Sequence, residues 1–505
     1  LKEENATIKY LIPKAKPSLF TEIASPVISV QNKNNINDFK RQPLMVNPLS
    51  FSGPCMVKGD VNGDGLEDIF VGGDRTQPGT LFMQQRNGKF IPNQQPFEKD
   101  KQSEDVDAVF FDANGDGFQD LYVVSGGYHY YAPSEILLQD RLYINNGKGN
   151  FVKSPNALPE MRGSKSCARI ADFNGDGSLD IFVGGRAVPA RYPEVEKSYL
   201  LINDGKGHFK DQIQDIAPQL QKIGMVTDAA WLDINGDSKQ DLIVIGEWMP
   251  LTVMINSNGK LINKTKSYFE KEYSGWWNRL VVTDMNGDGR LDLIIGNLGL
   301  NSQCKASDKE PAEMFYKDFD DNGSVDPILC FYIQGKSYPY VTRDEMLDQM
   351  SMMRTRFPDY KSYADATLKD IFTEEELKGA QYLKANYLKT AYFESGKDGK
   401  FHEKTLPRQA QFSPVFTITP IDYDRDGHKD LLLCGNINQA RLRFGKSDAN
   451  YGTLLKGDGK GNFTYIPQYV SGFRVKGDVR SVIDLNNTLF FGINQQKVKA
   501  YKLGN

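Results

Sequence analysis

Apolar residues fall in short blocks along most of this chain, not at helical spacing. One set of blocks reads DAVFFD, ARIADF, DAAWLD and RLVVTD. A second set ends in glycine: DIFVGG, DLYVVSGG, DLIVIG, DLIIGN and DLLLCG. Each is about four to eight residues long and rich in β-branched and aromatic side chains, which predicts strands buried on both faces. A third pattern follows most pairs: LFMQQRNGKF, LYINNGKGNF, LLINDGKGHF, VMINSNGKL, AYFESGKDGKF and LLKGDGKGNF. Asn/Asp-Gly between two such runs predicts a tight antiparallel hairpin.

An acidic nine-residue motif separates the first two blocks each time. It begins at Asp60, Asp112, Asp172, Asp233, Asp284, Asp318 and Asp422, at spacings of 52, 60, 61, 51, 34 and 104 residues. Self-similarity at this period marks an array or propeller. Two strands around the motif plus a hairpin make a four-stranded antiparallel unit, and such units set radially make a β-propeller. The expected fold is all-β, with eight blades or alternatively seven. A metal-free set (RSVIDL, LFFGIN, VKAYKL) ends the chain, and a strand from residues 26–31 is expected to complete it. The 34-residue gap is too short for a full blade, which keeps seven open. The chain divides into an arm at 1–44 and one propeller at 45–505. DEMLDQMSMMRTRF and LKDIFTEEELKGAQYLKAN break the pattern and predict a helical insertion at 343–386, with a capping box at Thr373 and Glu376.

The motif places side-chain oxygens at positions 1, 3, 5 and 9. These are Asp60, Asn62, Asp64 and Asp68 in the first loop; Asp112, Asn114, Asp116 and Asp120 in the second. They are Asp172, Asn174, Asp176 and Asp180, then Asp233, Asn235, Asp237 and Asp241, in the third and fourth. The fifth offers Asp284, Asn286, Asp288 and Asp292; the sixth Asp318, Asp320, Asn322 and Asp326; the seventh Asp422, Asp424, Asp426 and Asp430. Hard oxygen ligands in a short flexible loop suit Ca²⁺ better than Mg²⁺, so up to seven calcium ions are expected. An EF-hand needs a bidentate Glu at position 12. That position is Val71, Val123, Val183, Val244, Ile295, Leu329 and Leu433 here. Clustered carboxylates repel, which argues against metal-free turns. Ser238 replaces the glycine of position 6, and Asn322 stands at position 5, so those two loops are expected to bind most weakly.

These repeats resemble the FG-GAP or VCBS repeat, the calcium-loop blade of integrin alpha-subunit propellers. GMVTDAAWLD, GEWMPL, GWWN, GNLGLNS and the stretch from Tyr338 to Pro407 resemble bacterial surface proteins with VCBS repeats, related to the cartilage-acidic-protein group. The resemblance implies calcium-dependent folding and an extracellular, cell-surface location; lipid anchoring to the outer membrane is a separate expectation.

Composition narrows the function. The formal net charge is −4, which does not support a broad basic surface for nucleic acid. Seven divalent ions would move it to about +10. No run approaches the apolar length of a membrane-spanning helix. The chain opens on Leu1 rather than Met, so its start gives no reading on export. Five cysteines without a CxxC read as buried free thiols. There is no GxSxG or HExxH, and the four histidines are scattered.

Loops joining strands 2 and 3 should share the face opposite the calcium loops. They carry Tyr128, Tyr130, Tyr131, Arg186, Arg191, Tyr192, Trp248, Arg441 and Arg443, with Trp276 and Trp277 reaching the same side. Aromatics and arginines are favoured at interaction hot spots. The expected function is a non-enzymatic protein-interaction or assembly module at the bacterial cell surface, as a subunit of an outer-membrane complex. A carbohydrate-binding surface protein is the alternative, and a polysaccharide-degrading enzyme stands behind both.

Overall fold

The computed structural model describes residues 17–504. It is an all-β propeller built from four-stranded antiparallel sheets, one of which carries a fifth short strand, Ser274–Trp276. In blade 1 the strands are Met56–Gly59, Asp68–Val71, Thr80–Gln84 and Phe90–Asn93. Blades 2, 3 and 4 begin at Glu104–Phe111, Lys165–Ala171 and Met225–Leu232, and each runs through four strands in chain order. Blade 6 spans Val415–Ile421 to Phe463–Ile466.

The blade count is seven. The first strands of blades 1 to 7 pack side by side in a closed ring, the last being Val479–Leu485 against Met56–Gly59. The eighth sheet is not in this ring. Blade 5 consists of Arg279–Thr283, Asp292–Gly296, Ala391–Ser395 and Phe401–Lys404. Between its second and third strands the chain builds a separate sheet from Ala312–Lys317, Asp326–Ile333, Lys336–Pro339 and Gln381–Ala385. The short spacing between Asp284 and Asp318 therefore separates a blade from an insertion, not two neighbouring blades.

Blade 7 closes on the N-terminal arm. Phe20–Ile23 pairs antiparallel with Lys499–Leu503. The closing strand thus lies upstream of the expected 26–31, where only the bridge from Val30 to Lys497 forms. Phe20 is buried and stacks on Phe473 at 4.5 Å. Residues 1–16 of the expected arm lie outside the described residues.

Second strands such as Asp180–Gly185 are buried at every position, because blades cover both their faces. Nine hydrophobic clusters follow this layout, most of them bridging adjacent blades. All five cysteines are free and buried. The insertion's helices are single turns, apart from the seven residues of Arg343–Gln349. The Thr373–Glu376 capping box is present. QYLKA, expected as helix, is instead the strand that completes the inserted sheet along Ala312–Lys317. Pairing along that edge satisfies its backbone groups and overrides its helical propensity.

Candidate metal centres and the covered loop face

Six of the seven acidic loops join the first and second strands of blades 1 to 6, and the seventh joins the corresponding strands of the inserted sheet. Their internal geometry repeats. In the third loop, Asp172 accepts backbone N–H bonds from Gly175 at 2.8 Å, Asp176 at 3.1 Å and Gly177 at 3.0 Å. Positions 4 and 6 lie at positive φ, which is why glycine recurs there. Ser238 holds φ 65° at position 6 and still donates its N–H to Asp233 at 2.8 Å. That loop keeps its shape at the cost of a strained residue.

The aspartate at position 9 is of a different kind. Asp180 is fully buried and accepts from Asn203 N at 2.9 Å and Phe173 N at 3.2 Å. It thereby ties the loop to the third strand of the blade. Asp68, Asp120 and Asp430 repeat this pair of bonds. In the inserted sheet the side-chain amide of Gln349 replaces the strand donor, reaching Asp326 at 2.7 Å. Burial pushes the Asp68, Asp120, Asp180 and Asp430 carboxyls up to about 6. Backbone donors pull them down, while the other aspartates of each loop push up again. Asp326 rises to about 7 for the same reasons.

Position 3 divides the loops. Where it is asparagine, its amide nitrogen bonds the carboxylate at position 5, as from Asn174 to Asp176 at 2.7 Å. Where it is aspartate no such donor exists. Carboxylate oxygens of Asp318, Asp320 and Asp326, and of Asp422, Asp424 and Asp426, then lie within 4.8 Å of one another. Asp320 Oδ1 is buried without a hydrogen-bond partner among the described residues. An oxygen left in this state is costly, and the donor set suits a hard divalent cation. At 422–430 Lys456 Nζ pairs with Asp424 and, at 3.0 Å, with Asp426. That internal cation was not foreseen, because it lies on the adjacent hairpin.

The opposite face is not the open surface expected of it. The inserted sheet lies on it, and Ala312, Met314, Leu329 and Phe331 pack with Tyr128, Tyr192, Trp248 and Trp276 in one core cluster. Trp277 is fully buried and stacks with Tyr387. Tyr131 is 1% exposed. Segment 38–52 is threaded beneath the cap. Arg41 donates to the carbonyls of Tyr128, His129 and Tyr131. Gln42 donates to Tyr192 O at 2.6 Å and Val325 O at 2.9 Å. Tyr192 Oη donates to Glu247 at 2.9 Å and accepts from Trp248 Nε1 at 2.8 Å. Arg186 pairs with Glu247 at 2.6 Å. Arg191 pairs with Glu194 at 2.6 Å. Arg441 and Arg443 both engage Glu345, and they donate to the Pro43 and Tyr340 carbonyls respectively. Of the eleven expected interaction residues, Tyr130 stays the most exposed, at 46%. Of the expected aromatics, Tyr128, Tyr192, Trp248 and Trp276 pack against the cap.

An FG-GAP-like repeat matches at residues 60–123, 112–183 and 233–295. The chain is 27% identical over 157 residues to integrin alpha-4 of Xenopus laevis, covering 27% of this chain. It spans 14% of that integrin's length. Among solved structures, an Agrocybe aegerita lectin described as recognising non-reducing terminal N-acetylglucosamine is 16% identical at a TM-score of 0.41, covering 81% of this chain and 79% of its own. The Dos1 propeller is 10% identical at a TM-score of 0.39, covering 91% and 96%.

Proposed function

We propose that this chain, which carries FG-GAP-like repeats on a seven-bladed β-propeller, is a non-enzymatic, calcium-stiffened interaction module that works outside the cell. The carrying observation is one acidic loop design repeated seven times, each loop locked to its sheet by a buried position-9 aspartate. Such a design spends its carboxylates on holding cations rather than on chemistry. In this reading positions 1, 3 and 5 hold Ca²⁺, joined at 318–326 by Asp326 of position 9, and in the other loops position 9 orients the loop. The integrin likeness supports an extracellular setting. Among the described residues no helix is long and apolar enough to cross a membrane. Anchoring to an outer membrane, as one subunit of a surface complex, extends the same reading.

With the loop face covered, the docking point shifts to the loop between the second and third strands of blade 6, beside the cap. Leu442 is fully exposed between Arg441 and Arg443, both of which are pinned. A leucine on a held loop can anchor a partner with little ordering cost. The test is affinity purification of the native protein in calcium, beside a Leu442→Asp variant. A stoichiometric surface protein retained by the parent and lost by the variant supports the reading. Equal retention by both removes Leu442 from it, and no retained protein removes the assembly role.

A further inference from the structure

The cap leaves one sector of the loop face open. There a cleft of about 370 Å³ lies between blades 7, 1 and 2. Its walls come from residues 73–76 of blade 1, Asn494 and Gln495 of blade 7, and Glu104 and Tyr130 of blade 2. Arm residues 31–36 form another side.

Four amide side chains are fixed by one end only. Asn32 Nδ2 donates to Thr76 Oγ1 at 3.1 Å, and Asn494 Nδ2 to Gly53 O at 2.8 Å. Gln495 Nε2 donates to Asn34 O at 3.2 Å, while Gln31 Oε1 accepts from Gln495 N at 3.2 Å. Among the described residues their other ends have no partner. Two charged groups share this state. Glu104 makes no side-chain hydrogen bond or ion pair among the described residues, and its Oε2 lies so close to Gly127 that a Cβ there would come within 2.6 Å. The Arg75 guanidinium sits over the Tyr130 ring at 4.2 Å without an ion pair among the described residues. Burial, and after it Asp74, Asp38 and Asp105, push the Glu104 carboxyl up to about 8.

We propose that this cleft binds a neutral saccharide unit. The spare groups comprise acceptors and donors beside the half-exposed Tyr130 ring, one face of which Arg75 covers, and a sugar ring presents hydroxyls that donate and accept beside an apolar C–H face. Polar groups of this kind fix a ligand's orientation in a pocket. Charge excludes the alternatives. Asp74 repels an anion, and Arg75 repels a cation. None of these residues belongs to an acidic loop, so the site goes beyond the calcium-module reading and stands apart from it.

Saturation-transfer NMR on the calcium-loaded full chain tests this. The probes are the methyl glycosides of glucose, galactose, mannose and N-acetylglucosamine, with methyl glucuronoside and N-acetyl-lysine amide as charged controls. Transfer to ring protons of at least one neutral glycoside is expected, with about a tenfold loss of affinity in Arg75→Ala and in Tyr130→Ala at unchanged melting temperature. A variant whose melting temperature falls is replaced by Asn32→Ala, for which the same loss is expected. No transfer to any neutral glycoside, binding unchanged in the variants, or preference for a charged control overturns the proposal.

Discussion

At the scale of the residue, one motif contains two kinds of aspartate. Asp180 answers two buried N–H groups, whereas Asp176 is exposed and bonded only within its loop. Asp180→Ala leaves both donors unmet, at about 1–3 kcal/mol each. Thermal melts should show that loss with calcium and with chelator alike. Asp176→Ala should lower the melting temperature in calcium and change it little in chelator. The sequence shows all these carboxylates but not the split, because burial decides it. Glu104 gives a pH signature. Its folded carboxyl titrates near 8, above its unfolded value, so the folded state holds the extra proton between the two. Stability must then fall as pH rises from about 4.5 towards 8 and level off above. Asp74, Asp38 and Asp105 face this group with Arg75 and the Tyr131 ring, and Arg141 holds Asp105 at 2.5 Å. Glu104→Gln should flatten that slope, raising the melting temperature at pH 8 more than at pH 5.

At the scale of the element, blades and acidic turns were legible because each repeats a short pattern with a fixed turn chemistry. The insertion was not. Its strands AEMFYK and QYLKA pair across a gap of some sixty residues, which no local pattern encodes. Loop aromatics on one face then look like a binding surface when the sheet that covers them is unseen. Five of the first strands carry a bulge, and the extra residues Val106, Ser166, Thr227, Phe416 and Arg480 line the axial cavity. One residue more on a strand turns it locally, a shift that hydrophobic pattern alone does not show. Trp248 measures the cap. It is 3% exposed, 4.9 Å from Trp276 and bonded to Tyr192. Trp248→Ala should cost about 3–5 kcal/mol in a denaturant titration. A cost near zero would mean that the inserted sheet is not seated on the blades.

At the scale of the whole molecule, the ring is shut by strands from opposite ends of the chain, Phe20–Ile23 beside Lys499–Leu503. Six blades carry an acidic loop on one face, and the inserted sheet carries the seventh. Blade 7 turns instead on Asn486 and Asn487, both at positive φ, with no carboxylate cluster to neutralise. The central claim is that the other loops need a divalent cation to stay folded. Ions that bind only the folded state stabilise it by mass action, about 2.7 kcal/mol per site at a hundredfold excess over Kd. The deciding measurement is scanning calorimetry of the full chain with calcium, after chelation, and after calcium is restored. The account predicts a large fall in melting temperature on chelation, reversed by Ca²⁺ and less well by Mg²⁺. A melting temperature that does not move with chelator would contradict it.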